Sequence, residues 1–191
     1  MIAGRAPRVI DSLQLDGQHV RVSQILRLPV PPARLADLKA RLADLDAADL
    51  SDQYAEFVQH WTHRLIHATR RGPRLSLSLT RRGPELLRLR LEDRAPEHAI
   101  RAVGRLTITG GLAAVPSIQE GALILRLAVR EREGQGALLE AEVLVENYAP
   151  LLLALPLPGR LRARLYRATQ ARIHRAVTTA FLRAIVAQTM A

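Results

Sequence analysis

Glu56, His60, His63 and His67 carry a spacing from which a metal site could be built. The histidines stand at i, i+3 and i+7 with the carboxylate one turn earlier, and on a helix the four project within about 60° of one another. Neutral imidazole and carboxylate suit zinc and related ions. The same helix turns them more than about 90° away from the apolar side made by Tyr54, Phe57, Trp61 and Leu65. They therefore face solvent, whereas a catalytic metal needs a cleft and supporting partners. A solvated polar face is the expectation, and no metal or cofactor is assigned. The sequence holds no phosphate-binding loop, no GxSxG elbow, no HExxH and no dinucleotide fingerprint. Cysteine is absent, which removes disulfides, thiol catalysis and thiolate ligation. His174 sits at the edge of an apolar stripe and is given no catalytic role.

Basic residues offer a second chemistry. The formal charge is +10, and Lys39 is the only lysine among 28 basic residues. Such an excess can serve nucleic acid, an anionic membrane surface or an acidic partner. Arg74, Arg88, Arg90, Arg101, Arg105, Arg126 and Arg130 fall on the polar side of strand-like runs. Sheets that bind single-stranded nucleic acid usually add aromatic stacking platforms, and the few aromatics (Tyr54, Phe57, Trp61, Tyr148, Tyr166, Phe181) lie off these runs. Glu92, Glu140, Glu142 and Glu146 share that side, so pairing across strands is expected. No acid follows Glu146. Arg160, Arg164, Arg167 and Arg175 lie opposite the apolar stripe of the last helical stretch and are the candidate contacts to an anionic partner.

The elements that must position these groups are legible as periodicity. With 191 residues and 48% apolar composition, the chain is expected to form a single domain over 1–191, with 1–18 as a possible extension or extra strand. Arg8 to Leu15 and His19 to Leu28 alternate like strands around a turn at Asp16-Gly17. Leu35, Leu38, Leu42 and Leu45 mark a helix entered at Pro32. Ser51 or Asp52 is the expected N-cap of a second helix reaching about Ala68. From Arg74 the period becomes two, and five strands follow up to Glu146, with a loop at 93–98 and a hairpin turn at Glu133-Gly134-Gln135-Gly136. Each strand has one apolar and one charged face, which describes an antiparallel sheet wet on one side. Gly159 to Met190 contains no further proline or glycine and reads as one continuous helix, about 45 Å long. Leu161, Leu165, Thr169, Ile173 and Val177 step along its apolar side, widened by Tyr166, Phe181 and Ile185. It is the element expected to cover the dry face of the sheet. Met1 to Arg5 opens no run of signal-peptide length, and Leu151 to Leu157 falls far short of the roughly 20 residues that span a bilayer. A cytoplasmic location is expected.

The strand at Val20 to Leu28, the helices after Pro32 and Ser51, the meander from Arg74 to Asn147, the proline-marked link from Pro150 to Pro158 and the helix from Gly159 follow one another in the order of an α+β helix-grip fold. In that order the chain resembles a divergent, uncharacterised bacterial branch of the START/Bet v 1-like superfamily, which includes polyketide cyclases and lipid-transfer domains. The resemblance implies a curved antiparallel sheet of about six or seven strands packed on the C-terminal helix. It also implies a cavity between them for an apolar or lipid-like molecule. Trp61, Gly104, Leu106, Tyr148, Tyr166, Thr169 and Ile173 are the residues expected at that cavity, with Gly104 widening it. Ligand binding is the leading expectation. A basic module for nucleic acid or membrane is the alternative, and a cyclase- or dehydratase-type enzyme a third.

Overall fold

Alternating leucine and arginine leaves each strand one face that must be covered, and the strands pair into one sheet that presents these faces together. The computed structural model describes residues 9–92, 101–115, 120–132 and 136–191. The loop expected at 93–98, the start of the following strand at Ile100 and the turn residues Glu133, Gly134 and Gln135 lie outside the described residues, as do residues 1–8. The elements are β1 (Val9–Asp16), β2 (His19–Val30), α1 (Pro32–Asp44), α2 (Ala47–Trp61), β3 (Ile66–Arg71), β4 (Arg74–Leu79), β5 (Glu85–Leu91), β6 (Arg101–Gly110), β7 (Gly121–Arg132), β8 (Gly136–Tyr148), α3 (Leu151–Ala154), α4 (Gly159–Ala168) and α5 (Gln170–Met190). The architecture is α+β: an eight-stranded sheet in the order β1-β2-β8-β7-β6-β5-β4-β3, with a long bent C-terminal helix. Every pairing is antiparallel. Among the described residues no helix is long and apolar enough to cross a membrane.

The sheet has one strand more than expected, because the second helix stops early. α2 ends at Trp61, where the Thr62 hydroxyl donates to the Val58 carbonyl at 2.8 Å and accepts from the Ile66 amide at 3.1 Å. His63 and Arg64 then take left-handed conformations, with φ of 51° and 63°, which no continuing helix contains. The chain returns as β3, and its Ala68 amide bonds to the Gln59 side chain at 3.1 Å. At its other end α2 starts earlier than expected. Asp46 is the N-cap, and it forms a capping box with Asp49. Ser51 lies inside the first turns, fully buried, with its hydroxyl donating to the Ala47 carbonyl at 2.6 Å.

The C-terminal helix is likewise not continuous. Thr169 has φ −119° and ψ −86°, which separates α4 from α5. Its hydroxyl donates back to the Leu165 carbonyl at 2.6 Å, the kind of local bond that bends helices. Nor does this helix cover the dry face alone. α5 lies on β2 and β8, while α2 lies on β6, β3 and β5. Leu106, Leu139 and Val143 are wholly buried beneath them, and Phe181 of α5 meets Tyr54 of α2 edge-on at 5.1 Å.

The outer face is occupied by its own charges. Glu140 accepts from Arg27 at 2.8 Å and Arg130 at 2.9 Å, and Glu142 from Arg126 at 2.8 Å. Arg105 lies between Glu92 at 3.2 Å and Glu146 at 3.7 Å. These pairs follow directly from register, as in Arg126 opposite Glu142 and Arg27 opposite Glu140.

Candidate ligand-binding site

Between the sheet and the two helices that share its dry face lies a cavity of about 520 Å³. Its wall takes Val22 from β2, Leu89 from β5, Leu123 from β7 and Val145 from β8, all nearly buried, with Val58 from α2 and Val177 from α5 opposite them. Among the described residues, no Asp, Glu, Lys or Arg side chain lines it. Leu112, Leu151 and Ile173 line it and are also exposed, which places its mouth beside α3 and the start of α5.

The polar part of the wall is gathered around Tyr148, at the end of β8. The Tyr148 hydroxyl donates to the Ala113 carbonyl at 2.5 Å and accepts from the Gln170 amide nitrogen at 2.5 Å. Because the one phenol proton is committed to Ala113, the Gln170 group facing Tyr148 must be its NH2. That nitrogen also lies 3.5 Å from the Ala113 carbonyl. Burial, with the Tyr166 phenol close by, raises the Tyr148 pKa above the ordinary tyrosine range, against the hydrogen bond from Gln170. Burial pushes Tyr54 and Tyr166 up to about 12. His174, one turn beyond Gln170, is pushed down to about 4 by burial, against the attraction of the Asp11 carboxylate. The Asp11 carboxylate itself is paired with Arg175 at 2.7 Å. The His174 Nε2 is sealed from solvent and has no hydrogen-bond partner among the described residues. At neutral pH the wall formed by the described residues is therefore polar in places and uncharged.

Of the residues expected at this cavity, the structure brings Tyr148, Tyr166, Thr169 and Ile173 together on its wall. Leu106 is fully buried in the core, and Trp61 stands half-exposed at the end of α2; neither is part of the wall. Gly104 does not open the cavity. A Cβ there would lie 3.0 Å from the Ser51 hydroxyl and 3.1 Å from the Ala47 carbonyl, so the glycine lets α2 press onto β6. Gln170 and His174 were not anticipated. Their sequence signal is the spacing of four from Tyr166 through Gln170 to His174, one stripe over from the apolar row at Thr169, Ile173 and Val177.

The metal candidates are dispersed. Glu56 and His60 belong to α2, His63 to the left-handed turn and His67 to β3, so the helical face that would have joined them does not form. Among the described residues no cluster of three or more potential ligands exists. The basic candidates divide as well. Arg160, Arg164 and Arg167 are exposed on α4 and make no ion pair among the described residues, whereas Arg175 is tied to Asp11.

No family model matches the chain, and no curated protein matches it. Among solved structures it is similar to the crystal structure of CalU16 from Micromonospora echinospora, over 97% of this chain and 92% of that one, at 12% identity and a TM-score of 0.29.

Proposed function

We propose that this protein binds an apolar small molecule in the cavity between its sheet and helices α2 and α5. The observation that carries this reading is the cavity itself. At about 520 Å³ it is as large as many small-molecule sites, and its wall is aliphatic with a few oriented polar groups. A void of that size in a solid core would forfeit packing along its whole lining. The element order and the cavity's position beneath the C-terminal helix also support membership of the START/Bet v 1-like superfamily.

Val145 points into the cavity from β8, and Val145→Phe places a ring where a ligand would lie. Diphenylhexatriene, a reporter without hydrogen-bonding groups, is expected to fluoresce on binding the wild type. It is expected to bind Val145→Phe at least about tenfold more weakly, with no loss of thermal stability, since the added volume enters empty space. Equal binding by the two proteins, or none by the wild type, refutes the proposal.

A second reading is favoured by one observation. The exposed arginines Arg160, Arg164 and Arg167 share the surface of α4 with exposed Leu161 and Leu165, close to the cavity mouth, and no acid lies on that helix. A basic and apolar helix face suits an anionic bilayer surface. Cosedimentation with phosphatidylserine vesicles should weaken at least about tenfold in the triple Arg160→Gln, Arg164→Gln, Arg167→Gln variant. It should also fall with added salt. Binding to phosphatidylcholine vesicles as strong as to phosphatidylserine would count against it.

A further inference from the structure

The cavity wall carries a specification for its ligand's head group. Resting on the cavity reading above, we infer that the cavity selects a neutral head group able both to accept and to donate a hydrogen bond, a hydroxyl above all, held between the Tyr166 phenol and the Gln170 carbonyl oxygen. Three features lead there.

The first is orientation. Gln170 presents its NH2 to Tyr148, whose own proton is committed to the Ala113 carbonyl. The amide is thus held one way round, and its Oε1 is left as an acceptor with no partner among the described residues. The second is the donor. Tyr166 lines the cavity next to Tyr148, and its hydroxyl has no hydrogen-bond partner among the described residues. A donor and an acceptor, both without a partner among the described residues, thus line the cavity beside one anchored phenol. An apolar ligand leaves both unmatched, and unmatched buried polar groups cost binding free energy. The third is charge. With no Asp, Glu, Lys or Arg in the wall among the described residues and His174 uncharged at neutral pH, a carboxylate would enter without a counter-ion from them. Desolvating an unpaired carboxylate is far costlier than desolvating a hydroxyl.

Competition against bound diphenylhexatriene by octanol, methyl octyl ether and octanoate tests this. The three share a chain and differ in the head: the alcohol donates and accepts, the ether only accepts, and the carboxylate is charged. At about pH 8, where octanoate is ionised, octanol is expected to bind about tenfold more tightly than the ether and more tightly still than octanoate. Tyr166→Phe should weaken octanol and the ether alike by about tenfold, because both lose the donor. Gln170→Leu should weaken octanol alone. Competitor affinities are referred to each variant's own reporter affinity, since both residues line the cavity. An unchanged far-ultraviolet circular dichroism spectrum with a cooperative unfolding transition shows that each variant retains its fold. Equal binding of octanol and ether to the wild type, or octanoate binding as tightly as octanol, overturns the head-group assignment while reporter binding leaves the cavity reading standing. Absence of reporter binding overturns both.

Discussion

Gly104→Val should destabilise the protein by about 3 kcal/mol, the upper part of the usual range for overpacking. In strand propensity and chain entropy valine is favoured over glycine by about 1 kcal/mol, so those terms would predict stabilisation. Contact geometry reverses the sign. The new Cβ alone would stand 3.0 Å from the Ser51 Oγ and 3.1 Å from the Ala47 carbonyl oxygen, and the second of these belongs to backbone. Ser51 cannot rotate away freely, because it is fully buried and bonded to Ala47. The strain must therefore move the first turns of α2 off β6. That helix carries Tyr54, which rests on Phe181, and Val58, which walls the cavity. Denaturant unfolding should show a lower midpoint with an unchanged slope. Gly104→Ala should cost less, and adding Ser51→Ala should recover part of the loss by removing one of the two close atoms. Were glycine there to leave space for a ligand, valine would instead fill it without loss of stability, so a stable Gly104→Val protein would refute the close-approach account.

Between about pH 6.5 and pH 4 the wild type should lose on the order of 3 kcal/mol of stability that a His174→Gln variant keeps. Burial holds the imidazole neutral in the folded protein, moving its pKa from 6.5 down to about 4. Over that interval the unfolded chain binds a proton that the folded one does not. Stability therefore rises with pH through the window, is fully present above about 6.5, and falls as acid is added until the folded-state value is reached. The Asp11 carboxylate works the other way, favouring the imidazolium, but it is shared with Arg175 and does not reverse the effect of burial. Glu140 and Glu85, whose pKa values are lowered in the fold, also contribute to acid sensitivity. The difference between the two proteins isolates the histidine, because both carboxylates remain in the variant. Parallel stability profiles would show that the ring titrates as though in water.

These two sites also show where reading the chain ran out. Gly104 interrupts an apolar row, which is visible in sequence, but a missing side chain has two opposite meanings: space for a ligand, or room for a neighbour's backbone. Only the position of the Ala47–Ser51 turn distinguishes them. His174 sits at the edge of the C-terminal stripe, and whether an edge residue meets solvent or a cavity depends on how the helix is rotated about its axis. The bend at Thr169 sets that rotation.

The sequence by itself determined the sheet. A period of two is a property of neighbouring residues, and each strand after Arg74 needed one covered face and one wet face wherever it lay. The pairing of Glu140, Glu142 and Glu146 with arginines of adjacent strands followed from the same alternation. It also determined that a long amphipathic stretch ends the chain and that aliphatic side chains line whatever space lies beneath it. Only the tertiary structure decided where helices stop. Residues 62–68 are compatible with a continuing helix, but the β3 strand pairs with β4, satisfying a row of backbone groups and moving His67 away from His60. Likewise no residue type breaks the last helix; α4 and α5 separate where their two surfaces meet different partners, the α3 turn and the sheet. The polar corner of the cavity depends on that placement, because Tyr148 belongs to β8 and no local pattern records its approach to Tyr166 and Gln170 of the C-terminal helices. Periodicity carries the direction of each side chain relative to its own element, while a binding site depends on how the elements are placed against one another.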